Sequence, residues 1–358
     1  MLYINPNSSE VKMALDQHRS AVRCFIWKKI GACDDVGAAK NCGKVDCKIC
    51  RGKIKAIENI PLKILEYFRD DLNVELLIGC EPTEIEGMDR TIWNDLIPGL
   101  NYNEWIKIMN KTSDLTEEEK QVQSIIASVF EVINKIVDYD NWFVKKDPGG
   151  QYSAYHLAKS LNRRSCTYCN RTYTTTMTTT DGGKLMRPQF DHWFPQSKYP
   201  LFALSFFNLI PSCNICNSSS KGDTILKLSE HVHPYVDSDQ TNEFRFNYFY
   251  SVNLNVYRIF VQSTYGVSKK VRNTLKELEV DTMYNAHHAE LDDLIKLKAA
   301  YSKEYLKSLK TAFPKANLTD AEIYRMALGV ELNTQDFHKR PMSKFKYDIL
   351  RELGIIEG

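Results

Sequence analysis

The sequence predicts an α+β protein: a small ββα module between a helical N-terminal region and a mixed strand-and-helix C-terminal region. Three observations predict it. Two Cys-x-x-Cys turns, Cys166-Thr-Tyr-Cys169 and Cys213-Asn-Ile-Cys216, bracket one short stretch. Between them, β-branched residues over Thr172–Thr180, a turn at Asp181-Gly182-Gly183 and a returning run Lys184–Phe190 read as a hairpin. On the N-terminal side, apolar residues recur at helical spacing, whereas residues 243–262 alternate apolar and polar as strands do.

Each element has its own local signal. Ser8-Ser9 precedes Val11, Leu15, Val22, Ile26 and Ile30, an amphipathic helix over residues 9–31 that Gly31 and Gly37 end. A cysteine-rich loop follows, with Cys33, Cys42, Cys47 and Cys50, and then a helix from Lys53 to Asp70 broken around Pro61. Residues 79–100 hold several turn formers and read as a connection. Thr116-Glu117-Glu118-Glu119 opens a helix through Val122, Ile125, Ile126, Val129, Ile133 and Ile136, with acids suited to the positive end of its dipole. Asp147-Pro148-Gly149-Gly150 marks a boundary, and a short helix over about 152–162 leads into the first knuckle. Asn214–Ser220 is the expected α element of the module. Leu275–Leu309 reads as mainly helical, and two shorter helices finish the chain. The expected domains are therefore 1–150, 151–235 and 236–358.

At 358 residues the chain has room for two or three domains, and 43% hydrophobic with 26% charged residues is ordinary globular composition. No apolar run reaches membrane-spanning length. The first residues lack the basic, apolar and small-residue zones of a signal peptide, so the expectation is a cytoplasmic protein whose ten cysteines do not form a disulfide framework. A net charge of +2 argues against a broad, non-specific coat for DNA but leaves room for a confined basic groove. Arg163, Arg164 and Arg171 beside the first knuckle and Lys221 after the second are its candidates. There is no glycine-rich lysine loop for nucleotide hydrolysis.

A knuckle turns tightly enough for two thiolates to meet one ion, and two knuckles complete a tetrahedral four-sulfur site of structural zinc type. Reduced structural cysteines or a redox pair are the other readings of such a pattern. With all four positions sulfur, such a zinc has no open coordination position. For Cys33, Cys42, Cys47 and Cys50 only the last pair has knuckle spacing, so a second zinc site, free thiols and a redox switch all remain open.

Within the bracketed stretch lie Phe190-Asp191-His192-Trp193-Phe194-Pro195, then Asn208-Leu209-Ile210-Pro211, and Asn217 directly after the last cysteine. Over residues 166–217 this pattern resembles the HNH endonuclease family, whose core is a ββα-metal finger. The resemblance implies phosphodiester hydrolysis, most naturally of DNA, with RNA as the other substrate. His192 would be the general base that takes a proton from the attacking water, and Asn208 would hold the catalytic loop. Asp191 and Asn217 would offer oxygens to a catalytic Mg2+ or Mn2+, hard ions that suit such ligands. Arg164, Arg171 and Lys221 would contact nucleic acid. Lys221 comes one position later than the basic residue that relatives place after Cys-Asn. HNH chains with long flanking regions resemble those of bacterial restriction and anti-phage defence systems, often beside a separate ATPase subunit. The alternative is a catalytically inactive, zinc-scaffolded adaptor for nucleic acid or protein. His231-x-His233 reads as structural rather than as a metal pair. The basic run Lys339–Lys346 is either a phosphate track or a solvated helix start.

Overall fold

The computed structural model describes all residues except 33–53, 98, 100, 112, 146–151, 182, 239–242, 264–267, 301–307, 309–310, 313–317 and 357–358. The loop cysteines Cys33, Cys42, Cys47 and Cys50 and the Asp147–Gly150 boundary lie outside the described residues. Among the described residues the fold is mixed: helices with three separate two-stranded sheets. Its two compact units cut across the three regions expected from the sequence. One comprises Met1–Asn5, Asn162–Asp191 and Ile210–Gly358; the other comprises Pro6–Leu161 and His192–Leu209. Among the described residues no helix is long and apolar enough to cross a membrane.

The helical unit is built on α1 (Ser9–Lys29), whose start is fixed by Ser8 Oγ accepting from the Val11 N–H. Its buried stripe includes Val11, Ala14, His18, Val22 and Phe25. It is followed by α2 (Leu62–Arg69), α3 (Asp71–Gly79), α4 (Pro82–Leu96), α5 (Tyr102–Asn110), α6 (Glu117–Val137) and α7 (Ala154–Leu161). The α4 helix replaces the connection expected at 79–100. Pro82 sits at its first turn, where proline favours helix, and Ile85, Ile92, Trp93 and Leu96 are buried at helical spacing. Of the helix expected from Lys53 to Asp70, the part after Pro61 forms, as α2, and residues 54–61 are not helical. Thr116 and Glu119 close a capping box at the head of α6. Aromatic rings fill the core: Phe25 stacks on Trp142 at 3.8 Å, and Trp93, Trp105 and Phe130 form a second cluster. The segment Pro200–Asn208, two short 3-10 turns, packs on α3, and its first turn also packs on α6.

The other unit holds the knuckles. Here β1 (Met177–Thr178) pairs antiparallel with β2 (Lys184–Met186), a shorter hairpin than the nine-residue arm expected from Thr172 onward. A further pair is β3 (Gln189–His192) and β4 (Leu209–Ser212). The expected α element is a π-helix, Ile215–Lys221. The alternating stretch forms β5 (Phe244–Ser251) and β6 (Val256–Ser263), paired in full register. It is followed by α8 (Lys269–Glu277), α9 (Val280–Tyr284), α10 (His288–Ala300), α11 (Asp320–Leu328), a 3-10 segment (Thr334–Lys339) and α12 (Ser343–Glu352). Phe246, Tyr284 and Phe345 interlock between β5, α9 and α12.

Candidate metal centre and histidine loop

The two knuckles converge. The sulfurs of Cys166, Cys169, Cys213 and Cys216 all lie within 4.8 Å of one another and are buried. Thiolates 2.3 Å from one tetrahedral ion sit about 3.8 Å apart, and the Cys169–Cys213 sulfur separation is 3.9 Å. Backbone N–H groups point at the sulfurs: Cys213 N donates to Cys166 Sγ at 3.2 Å and Arg171 N to Cys169 Sγ at 3.4 Å. Such donors stabilise thiolate charge and are the second shell a metal–sulfur site uses. The donor set therefore fits zinc, and among the described residues no further His, Cys, Asp or Glu ligand joins the four. No further cluster of three or more His, Cys, Asp or Glu ligand atoms gathers among the described residues.

The knuckle also organises its surroundings. Asn170, buried and left-handed at φ 53°, donates its amide to Ser165 Oγ and to the Phe337 and Arg340 carbonyls. Its Oδ1 accepts from the Lys344 N–H at 3.0 Å. The Tyr284 hydroxyl donates to the Cys169 carbonyl at 2.7 Å. One residue after the first knuckle thus fastens the C-terminal segment onto it.

Asp191 and Asn217 are both aligned with β3. Gln189 and Asp191, two apart on a strand, share a face. Gln189 Oε1 accepts from Asn217 Nδ2 at 2.8 Å, and Asp191 Oδ1 accepts from Lys221 Nζ at 3.2 Å. Asn217 and Lys221, four apart on the π-helix, therefore reach successive same-face residues of β3. Asp191 is only 2% exposed. Its second oxygen accepts from the Tyr168 hydroxyl inside the first knuckle. Burial pushes the Asp191 carboxyl above the usual range, against the opposing pull of Lys221 and Tyr168. The expected phosphate contact Lys221 is itself buried in this pair. Asn217 spends its Nδ2 on Gln189, so its Oδ1 is the atom suited to a metal.

His192 and Asn208 belong to the helical unit. His192 Nε2 lies 2.9 Å from the Ala203 carbonyl, and the Tyr139 ring packs edge-on at 4.4 Å. A carbonyl only accepts, so Nε2 carries a proton and donates it to Ala203. Asn208 is fully buried. Its Oδ1 accepts from Phe194 N at 2.7 Å, and its Nδ2 donates to the carbonyls of Phe194 and Phe202 at 3.1 and 3.0 Å. Its own carbonyl accepts from Trp193 N at 3.1 Å. These bonds tie both ends of the loop that follows His192. A buried His18 on α1 continues the framework, with Nε2 2.7 Å from the Leu204 carbonyl and Nδ1 3.1 Å from the Tyr152 hydroxyl. Burial holds the His18 pKa down at about 4, although its bond to Leu204 pulls the other way.

The remaining candidates scatter. Arg164 is exposed, and Arg171 donates to His287 Nε2 at 3.2 Å. Arg163 is buried and donates to the Tyr3 carbonyl. The Nδ1 atoms of His231 and His233 accept backbone N–H groups from Lys227 and Tyr235. Tyr168 and Gln189 were not evident from the sequence as site residues. Their one signal is position: Tyr168 lies inside a knuckle, and Gln189 lies two residues before Asp191.

No family model matches this chain, and no solved structure matches it. A stretch of 51 residues is 39% identical to protein ea31 of Escherichia phage lambda, which amounts to 14% of this chain and 17% of that protein. The chain therefore spans less than a fifth of the length of that relative.

Proposed function

We propose that the protein is a metal-dependent endonuclease of HNH type that hydrolyses phosphodiester bonds, most naturally in DNA, around a structural zinc. The observation that carries the reading is the His192 loop. A half-buried imidazole has its tautomer set by the Ala203 carbonyl, and the loop behind it is pinned by a buried asparagine. A histidine held in one orientation suits a general base, because imidazole has its pKa near operating pH and can take a proton from water. Asp191 and Asn217 would supply oxygens to Mg2+ or Mn2+, an ion that, when bound, stabilises the charge on phosphate and on the leaving oxygen. The zinc-bearing knuckles would hold Asn217 near β3. A separate ATPase subunit and a role in anti-phage defence belong to this proposal, by family likeness alone.

One observation favours the rival reading, a non-catalytic zinc-scaffolded adaptor. Asp191 is already occupied by Lys221 and Tyr168. Under the nuclease reading a divalent ion must displace the Lys221 ammonium, and under the adaptor reading the pair is permanent. Nicking of supercoiled plasmid with Mg2+ or Mn2+ separates the two. Cleavage that needs the divalent ion and His192 supports the nuclease, and no cleavage under any metal supports the adaptor.

A further inference from the structure

The C-terminal basic run leaves one feature that the proposed site does not use. Between β5, the 3-10 segment and α12 lies a cavity of about 150 Å3 lined by Arg245, Lys344, Asp348, Tyr347 and Arg351 among others. It is smaller than the pockets of about 300 Å3 or more that enclose whole small molecules. A single charged group fits it.

The charge is positive. Three cations face one carboxylate, and that carboxylate is already committed: Asp348 Oδ2 accepts from Lys344 Nζ at 2.8 Å and from Phe246 N at 3.0 Å. Lys344 is 4% exposed and spends a second proton on the Phe244 carbonyl at 2.8 Å. Burial lowers its pKa despite Asp348, and Arg245 and Arg351 push the same way. Among the described residues neither arginine has an ion pair. The Arg351 guanidinium carbon lies 5.7 Å from the centre of the Tyr347 ring, within cation–π range. Two guanidinium groups and a buried ammonium lining one cavity can meet the several oxygens of a phosphate at once, the planar forks bidentately.

We propose that the pocket of Arg245, Lys344 and Arg351 binds a phosphate group. Its two sources are the backbone of a nucleic acid and a free phosphate. Anion capture here needs no cleavage chemistry, so it stands apart from the role of His192. Asn170 links it to the knuckles, because the same side chain that follows Cys169 holds the Lys344 backbone.

The test uses the full-length zinc-loaded protein and the double variant R245Q/R351Q, which spares the buried Lys344–Asp348 pair. A charge-matched control, K269Q/K276Q on α8, removes two cations elsewhere. Thermal unfolding and zinc content check that each variant is folded. Anisotropy with a labelled 30-base-pair DNA duplex is read over a salt series without added divalent ions, and calorimetry measures inorganic phosphate. If the duplex backbone is the source, R245Q/R351Q weakens duplex binding by about tenfold and lowers the salt slope by about one, for the one phosphate released, while the control moves far less. Duplex affinity equal to the control with phosphate binding lost points to the free anion. If the double variant matches the control with both probes, or the parent protein binds neither, the proposal is overturned. Plasmid nicking is scored separately, so a protein that binds duplex but never nicks it contradicts only the nuclease reading.

Discussion

Asn208→Ala is the sharpest test of how the histidine loop is held. The side chain is 0% exposed and satisfies three backbone groups: the Phe194 N–H, the Phe194 carbonyl and the Phe202 carbonyl. Phe194 and Phe202 are themselves fully buried, so water cannot replace the lost partners. A buried group left unpaired costs about 1–3 kcal/mol, and three sharing one void do not add fully, so the expected loss is about 3–5 kcal/mol. Asn208→Asp should cost a similar amount, because a carboxylate still accepts from Phe194 N but faces two carbonyl oxygens with no proton to give. The assay is urea unfolding followed by tryptophan fluorescence, since Trp193 N donates to the Asn208 carbonyl and its ring is buried in the same loop. Zinc content should stay unchanged, as the four cysteines lie in the other unit. A loss below about 1 kcal/mol for both variants would show that the loop does not depend on this residue, and the positioning role given to Asn208 would fall with it.

Three further outcomes are expected. Lys221→Met leaves Asp191 buried with only Tyr168, a loss of about 3 kcal/mol without divalent ions; Mn2+ should restore part of it if Asp191 is a metal ligand, and no Mn2+ effect on its melting temperature favours the adaptor. His18 is buried and neutral, with a folded pKa of about 4 against 6.5 unfolded. The unfolded chain therefore binds the extra proton between those values, and stability falls as pH drops through that window. From pH 7 to pH 4 the parent should lose about 3 kcal/mol more than His18→Gln; equal losses would contradict the buried neutral ring. Cys216→Ser should abolish stoichiometric zinc and lower the melting temperature sharply, because binding free energy at such a site is folding free energy. Retained zinc in that variant would argue that Cys216 is not a ligand.

What the sequence revealed follows from how local the physics was. The knuckles are legible because a two-residue spacing directly fixes where two sulfurs point, and the fold gathers all four. The α1 and α6 helices have strong caps and long periodic stripes, so their starts were plain. The α4 helix was hidden because Pro82 and Gly87 read as turn formers, although a proline at the first turn begins a helix as readily as it ends one. The first arm of the hairpin is shorter than its strand propensity suggests because its start pairs elsewhere: Tyr173 bridges Ser165, and only Met177–Thr178 pairs with β2. Least visible were partners far apart in the chain. Nothing near Asp191 announces that Lys221 and Tyr168 take its two oxygens, or that His18 supports the Leu204 turn. The discontinuous units have the same origin: the chain leaves one unit at Asp191 and re-enters it at Ile210, a path no composition shift marks.

The most direct measurement is nicking of supercoiled plasmid by the zinc-loaded protein with Mg2+ or Mn2+, beside His192→Ala. The expected result is divalent-dependent conversion to open-circular DNA that His192→Ala loses while its zinc content and melting temperature hold. Equal nicking by the two proteins, or none by the parent with either ion, would contradict the assignment of hydrolysis to this loop.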